Sequence, residues 1–160
     1  MGSMTEIRTA PTTANIEGDF VVFLIGMRIN AVWNLHKWLP VFFAMPRMLR
    51  ELSRRKNSGL LNFRTRWGGC NIEVIQYWRS IEDLLAYANT PNAEHFPAWS
   101  RFNQRVDNDG SVGIWHETYL IKPGCYEAIY RNMPVYGLAQ ASQAVPATGK
   151  QRTASGRLGQ

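Results

Sequence analysis

One predicted strand, NIEVIQYWR, constrains the fold of this chain more than any other segment because both of its faces are apolar. Alternate residues of a strand point to opposite faces, so Ile72, Val74 and Trp78 point one way. Ile75 and Tyr77 point the other way. Such a strand is buried on both faces, and the fold must therefore supply a layer of structure on each side of its sheet.

The order of the predicted elements defines the fold class. Hydrophobic periodicity, caps and turn residues divide the chain into strands and helices. In chain order they are a strand over 19–30, a helix within 35–59, strands over 60–69 and 71–79, a helix over 80–90, a further helix within 95–106 and a strand over 112–122. This β-α-β-β-α-β order is the ferredoxin-like pattern of an α+β fold.

Local signals refine the element boundaries. Ser80, followed three residues later by an acidic residue, predicts a helix N-cap, and the helix is expected to turn Leu84 and Leu85 inward. The sequence YEAIYRNM is expected to form one or two helical turns. Residues 1–18 are predicted to be a flexible arm, 19–138 the folded domain, and 139–160 a disordered tail, because neither end has an apolar period.

The helices of a ferredoxin-like unit cover one face of the sheet and leave the other bare. The bare face of this sheet is apolar, and a large apolar face does not remain exposed to water. A second sheet packed against it solves the problem, most simply in a two-fold dimer. We therefore predict a homodimer whose two sheets form a shared barrel, a dimeric α/β barrel.

Composition excludes several classes of function. The net charge is +6, but the basic residues are scattered, so no nucleic-acid partner is predicted. The most apolar run, LPVFFAM, is far shorter than the roughly 20 residues of a membrane span, so neither membrane insertion nor a signal peptide is predicted and the expected location is cytoplasmic. Two cysteines without clustered ligands predict no metal site.

The segment GIWHETY places an imidazole in the last strand. His116 shares one face with Ile114 and Thr118, whereas Trp115 and Glu117 point to the other. A buried histidine can serve as a general base, or as a ligand for a metal or haem. A structural histidine that forms hydrogen bonds across the sheet fits the pattern equally well. Both interpretations stay open.

A second histidine precedes a predicted helix. His95 is followed by Phe96 and a proline, and the residue before proline is displaced from helical geometry, so His95 is expected in a loop. With Phe96 and Trp99 it would form the rim of a pocket, and functional residues are frequent in such loops. The alternative is a capping or surface histidine.

Two arginines lie in strands where the chain is otherwise apolar. Arg28 ends the first strand and Arg64 lies in the second. An arginine in an apolar cleft can hold a carboxylate, an enolate or an anion derived from oxygen. The alternative role is a salt bridge with Glu73 or Glu117.

Four segments together resemble a known family. HKWLPVFFAMPRM, YWRSIEDLLAYA, HFPAWSRFN and GIWHETYLIKPGCYEAIYRNMP resemble a monooxygenase branch of the dimeric α/β-barrel superfamily. That branch is named after a monooxygenase of fumagillin-type fungal biosynthetic clusters and is related to the antibiotic-biosynthesis monooxygenases. The resemblance covers roughly residues 19–138. It implies a dimeric barrel that oxidises an electron-rich aromatic substrate with O₂ and no bound cofactor, whereas other members bind haem through a histidine in the same cleft.

The residues and the resemblance together predict an oxidoreductase of secondary metabolism. Its substrate would be a hydrophobic aromatic, polyketide-like or terpenoid-like molecule in a cleft between sheet and helices. The expected lining is Phe23, Trp78, Phe96, Trp99 and Trp115. His116 is the first choice as base and His95 the second, with Arg28 or Arg64 stabilising negative charge. The alternatives are a haem enzyme of aldoxime-dehydratase or haem-degrading type, with His95 or His116 as ligand, and a non-catalytic dimer that binds a hydrophobic ligand.

Overall fold

The computed structural model describes residues 6–55, 57–90 and 109–159. The strands are β1 (Thr12–Asn15), β2 (Phe20–Ile29), β3 (Leu60–Gly68), β4 (Asn71–Trp78), β5 (Val112–Ile121) and β6 (Gln143–Pro146). The helices are α1 (Leu35–Arg54), α2 (Ile81–Ala88), α3 (Leu138–Ala141) and α4 (Ala154–Arg157), with a 3₁₀ turn at Gly149–Arg152. The helix predicted within 95–106 lies outside the described residues.

The central sheet is antiparallel and has the strand order β3-β4-β2-β5. This order confirms the predicted ferredoxin-like α+β fold. The β3–β4 hairpin turns through Gly69 and Cys70, and Gly69 has a φ of 57°. Two-residue hairpin turns that match the strand twist need such positive φ values, which glycine adopts without strain. The two adjacent strands predicted over 60–69 and 71–79 therefore form a hairpin.

One face of this sheet, the helix-side face, packs against α1 and α2. Two apolar clusters form the contact. The first contains Val21, Leu52, Trp78, Leu84 and Tyr87, and the second contains Met27, Ile29, Ile72 and Val112 packed against Trp38, Val41 and Phe42 of α1. The predicted cap of α2 is confirmed, since the Ser80 hydroxyl accepts a hydrogen bond from the Asp83 amide at 3.2 Å. Leu85, predicted to face inward, is 50% exposed, because this short helix turns Leu84 and Tyr87 toward the sheet.

The opposite face, the tail-side face, is partly covered by the two ends of the chain. Its apolar cluster combines Phe20 and Tyr77 of the sheet with Ala14, Leu138 and Ala139. Residues 139–159 are therefore not a disordered tail: β6 pairs antiparallel with β1 over 12–15 and 143–146. This pairing gives backbone N–H and C=O groups of both strands hydrogen-bond partners. It joins residues that are far apart in the sequence, so the composition of the segment does not predict it.

The segment between β5 and α3 also differs from its prediction. Residues 126–133 contain no helix and instead make bridges to the N-terminal segment, Tyr130 to Thr12 and Met133 to Arg8. The Thr13 hydroxyl adds a hydrogen bond to the Ala128 carbonyl at 2.7 Å. These contacts hold the segment against the N-terminal segment, so pairing across the fold outweighs its local helical preference.

The start of α1 is tied to the start of β5. Lys37 forms an ion pair with Asp109, and the Asn34 side chain donates to the Ser111 hydroxyl at 2.9 Å. The hydrogen bond from Lys37, followed by those from Ser111, holds the pKa of Asp109 well below its usual range. The Asn30 amide donates to the Ser111 carbonyl at 3.0 Å. These contacts fix β5 relative to the helix that covers the same sheet.

Two strand glycines allow a direct test of the sheet packing. A Cβ added at Gly26 would lie 2.7 Å from the Trp115 ring, whereas one at Gly113 would meet only ordinary contacts, the nearest at 3.7 Å. We expect Gly26→Ala to displace the indole and to lower the free energy of unfolding by about 1–3 kcal/mol, the usual cost of overpacking.

The matched control is Gly113→Ala. Because alanine loses less backbone entropy on folding than glycine, we expect this variant to be as stable as the original chain or more stable by up to about 1 kcal/mol. Urea unfolding followed by tryptophan fluorescence measures both variants. Equal stability of the two variants would show that the contact between Trp115 and Gly26 does not constrain the sheet.

Candidate functional site

The strand register places His116 on the helix-side face. His116 lies opposite Ile25 of β2, and its ring centroid is 5.8 Å from that of Phe23, with the planes inclined by 41°. Both β2 residues belong to the alternating set that faces the helices. An imidazole therefore lies against an aromatic ring on an apolar sheet surface.

The surroundings of His116 are open toward solvent. His116, Thr118 and Leu120 follow each other along the same face of β5, and all three are exposed, Leu120 by 65%. Within the described parts of the chain, no hydrogen bond or ion pair engages the His116 ring. A histidine in such a position can act as a base toward a molecule that lies on the face.

The other side chains of the same strand point to the tail-side face. Glu117 accepts a hydrogen bond from the Tyr119 hydroxyl at 2.6 Å, which raises the pKa of Tyr119. Trp115 lies over Gly26. The prediction that His116 and Glu117 do not form a pair is confirmed by the register. Trp115 cannot line the same cleft as Phe23, because the sheet separates them.

Trp78 is on the helix-side face but is fully buried, with 0% of its surface exposed. Its indole nitrogen donates to the Gln76 side-chain oxygen at 2.8 Å, so the buried N–H is satisfied. A side chain enclosed in this way by α1 and α2 is a core residue. Of the predicted lining residues that the structure describes, Phe23 alone lies beside His116.

Both predicted arginines point to the tail-side face and are separated from His116 by the sheet. Arg28 donates to Asn30 at 3.0 Å and to Asn71 at 3.3 Å. Arg64 lies with its guanidinium carbon 4.9 Å from the ring centre of Tyr136. Neither arginine can stabilise charge on a molecule that touches His116.

The remaining predicted site residues lie outside the described residues. They are His95, Phe96 and Trp99. Their predicted roles therefore stay predictions.

A row of aromatic rings covers the opposite edge of the helix-side face. The Phe42 ring of α1 is 6.3 Å from Trp38, 5.1 Å from Phe43 and 5.8 Å from Trp67 of β3. Trp67 is 68% exposed and Phe43 is 54% exposed. Trp38 and Phe42 are four positions apart in α1 and therefore share one face of the helix. Their partner on β3 depends on which strand forms the sheet edge, and local periodicity does not determine that.

A cluster of tyrosines around Arg64 was not predicted. Tyr77 comes from β4, and Tyr130 and Tyr136 come from the segment that crosses the tail-side face. Burial raises the pKa of Tyr77 and of Tyr130, and the charge of Arg64 acts in the opposite direction on both. The sequence did place Tyr77 on this face, opposite to Trp78. The other two tyrosines follow no period, so no pattern pointed to them.

The geometry defines a class of protein: a ferredoxin-like α+β chain with an accessible imidazole on the apolar, helix-side face of its sheet. A comparison with known protein families identifies the family. Residues 20–138 match the model of the family Monooxygenase af470-like. The chain belongs to this monooxygenase family.

Individual proteins show the extent of the similarity. The chain is 32% identical over 126 residues to monooxygenase af470 of Aspergillus fumigatus, a match that covers 72% of this chain and 44% of that protein. The chain thus spans less than half of the length of this relative. A solved aldoxime dehydratase has a TM-score of 0.52 at 11% identity, with 84% of this chain and 42% of that chain covered.

A solved oxygenase is similar over a smaller part of the fold. SnoaB of Streptomyces nogalater, described as a cofactor-independent oxygenase, has a TM-score of 0.46 at 10% identity, covering 63% of this chain and 91% of that chain. As for membranes, none of the helices within 6–55, 57–90 and 109–159 combines the length and the apolar character that a bilayer span requires.

Proposed function

We propose that this protein is a monooxygenase that oxidises a hydrophobic aromatic molecule, polyketide-like or terpenoid-like, on the helix-side face, with His116 as the base and no bound cofactor. The observation that carries this proposal is the position of His116. In a chain of a monooxygenase family, the ring lies beside Phe23 on an apolar surface and is open to solvent.

Oxidation by O₂ without a cofactor restricts the substrate. The two electrons that reduce the second oxygen atom must come from the substrate itself. A methylene group between electron-rich rings meets this requirement: CH₂ and O₂ give C=O and H₂O. Loss of one proton from such a carbon, or from a conjugated phenol, gives an anion that can transfer an electron to O₂. A base is therefore the group that the protein must provide, and a positioned histidine is the most frequent one.

The surface around His116 is suited to a flat apolar ligand. Phe23 and Ile25 offer an aromatic and an aliphatic surface beside the imidazole, and Leu120 extends the apolar surface along β5. Aromatic rings pack on such side chains in offset or tilted arrangements. We retain His95, Phe96 and Trp99 as proposed parts of the same pocket, and we exclude Trp115, Arg28 and Arg64 because they face the other way.

The free imidazole also supports a second candidate, a haem enzyme of the same fold. A haem ligand needs a ring nitrogen without a competing partner, and His116 has no hydrogen-bond partner within the described residues. Histidine is a common axial ligand of haem iron. In that case His116 or His95 would hold the iron, and Phe23 would contact the porphyrin.

We further propose that the chain forms a homodimer through the part of the tail-side face that the chain ends leave open. Trp115 and Tyr119 lie there, outside the cluster formed with Leu138 and Ala139, and Tyr119 is 48% exposed. Aromatic side chains are enriched at interfaces between proteins. A second copy packed on this area would complete the cover of the sheet.

Replacement of His116 tests the proposed base. We expect His116→Ala to lower kcat/KM by about 10²–10⁴-fold, the usual contribution of a general base. The assay measures O₂ uptake and product mass with a panel of fused-ring phenols and anthrone-type ketones. His36→Ala is the matched control, because His36 is an exposed histidine at the start of α1, and it should keep full activity.

Two outcomes of this assay would contradict the proposal. In one, His116→Ala converts a substrate of the original protein at an unchanged rate. In the other, panel members bind to the original protein but cause no O₂ uptake, which would indicate a protein that binds ligands without turnover.

An absorption spectrum separates the two enzyme candidates. We expect purified protein to show no Soret band, both before and after titration with haem. A Soret band that is lost in His116→Ala but kept in His36→Ala would establish haem as the cofactor and replace the cofactor-free proposal.

The molar mass in solution tests the homodimer. Light scattering on a sizing column should give about 36.6 kDa, twice the chain mass of 18.3 kDa. Tyr119→Arg places a charge in the proposed interface and should reduce the dimer fraction. A monomer mass for the original chain at every accessible concentration would contradict this proposal.

A further inference from the structure

The surface formed by the start of α1 and the end of β3 carries a concentration of large apolar side chains. Two tryptophans and three aliphatic or aromatic residues there are each more than half exposed, and we call them the apolar patch: Val32, Trp33, Leu35, Phe43 and Trp67. Trp33 is 79% exposed and Trp67 is 68% exposed. An exposed apolar surface with a polar rim marks a place where a protein contacts another protein or a membrane.

The contacts beneath these side chains join them into one surface. The Trp38 indole N–H donates to the Val32 carbonyl at 3.0 Å, which holds the residues before α1 against the helix. The centre of the Trp38 ring lies 6.3 Å from that of Phe42. The Phe42 ring in turn lies 5.1 Å from Phe43 and 5.8 Å from Trp67. The half-buried rings of Trp38 and Phe42 therefore form a base under the exposed side chains.

A row of positive charges continues the apolar patch along α1. Three arginines follow Phe43 at intervals of four, three and four residues, so these four side chains lie on one face of the helix. The arginines are Arg47, Arg50 and Arg54, and all three are exposed. Within 6–55, 57–90 and 109–159 none of them has an ion-pair partner. Glu51, the acidic residue of α1, pairs instead with the arginine that follows the helix.

We propose that the apolar patch and this arginine row dock the protein on the surface of an anionic lipid bilayer. Tryptophan side chains are enriched where the apolar core of a bilayer meets water, because the indole is apolar but carries one polar N–H. Arginines beside them are attracted to anionic headgroups. The contact is peripheral, with α1 lying along the surface and the apolar side chains entering the headgroup region.

The arginine row disfavours a second copy of the chain as the occupant of the patch. In a two-fold contact each patch would meet the same patch of the other copy, and the two arginine rows would come close together. Like charges at an interface weaken association. The proposed dimer surface around Trp115 and Tyr119 lies on the tail-side face, away from α1, so it stays available. Docking on a membrane does not depend on the proposed oxidation.

Co-sedimentation of the full-length chain with lipid vesicles tests the docking. We expect binding to vesicles of phosphatidylcholine mixed with phosphatidylserine, and binding weaker by about 10-fold or more to vesicles of phosphatidylcholine alone. Added salt should weaken the binding further, because the Debye length falls from about 10 Å at 0.1 M to about 3 Å at 1 M. Brominated lipids in the same vesicles should quench the tryptophan fluorescence of the bound protein.

Substitutions of apolar side chains locate the contact. Trp33→Ala and Trp67→Ala should each weaken vesicle binding by about 10-fold, as expected when a large apolar side chain no longer leaves water. Leu85→Ala is the matched control, because Leu85 is an apolar side chain of α2 that is 50% exposed outside the patch. This variant should bind as the original chain does.

Substitutions of arginines test the charge. Arg47→Gln should weaken binding to the anionic vesicles by about 5-fold, the usual contribution of one basic residue near such a surface. Arg131→Gln removes the same charge from an exposed residue of the segment that contacts the N-terminal segment. It should have a much smaller effect.

Three results would overturn the proposal. The first is an original chain that does not sediment with the anionic vesicles at low salt. The second is vesicle binding that Trp33→Ala and Trp67→Ala leave unchanged, because the contact would then lie elsewhere on the chain. The third is a loss of self-association in Trp67→Ala while the original chain binds no vesicles, because a second copy would then cover the patch. All of these measurements are made without substrate, so they do not depend on monooxygenase activity.

Discussion

Burial of both faces of the central sheet is the constraint on which the rest of this structure depends. The two inner strands, β2 and β4, carry large apolar side chains on each face, and removing one such side chain from water stabilises the fold by about 1.5–3 kcal/mol. On one side Trp78 becomes fully buried against Leu52 of α1 and Leu84 of α2. On the other side Phe20 becomes buried under Leu138 and Ala139. The helices and the chain ends are thus both required as covers.

The same alternation divides the chemistry of the chain between two separate surfaces. His116 and Arg64 lie on strands of one sheet, but they point to opposite faces because of their position in the register. A shift of one residue would exchange the two faces of a strand. The apolar contacts of Ile72 and Tyr77 with different clusters exclude that shift. The candidate oxidation site and the cluster around Arg64 therefore lie on opposite faces of the sheet.

The features that the sequence predicts are those that depend on neighbouring residues. The period of NIEVIQYWR assigns Trp78 and Tyr77 to opposite faces, and the cap at Ser80 follows from the acidic residue three positions on. The features it does not predict depend on contacts between distant residues. β6 is the short segment QAVP, without an apolar period, and it becomes a strand because Thr12–Asn15 pairs with it. Two neighbours of Arg64, Tyr130 and Tyr136, likewise come from a segment far along the chain from β3.

The chain ends also restrict how a second copy can complete the fold. The sequence predicted that a partner covers the whole bare face, but Leu138, Ala139 and β1 already occupy the part next to Phe20 and Tyr77. The uncovered part contains Trp115 and Tyr119, near the β5 edge. In the proposed homodimer the partner would therefore pack toward that edge, beside the chain ends and not in their place. Because Tyr77 and Tyr130 pack with Leu138 and Ala139 in the covered part, dimer formation at the open part would leave these contacts within each chain.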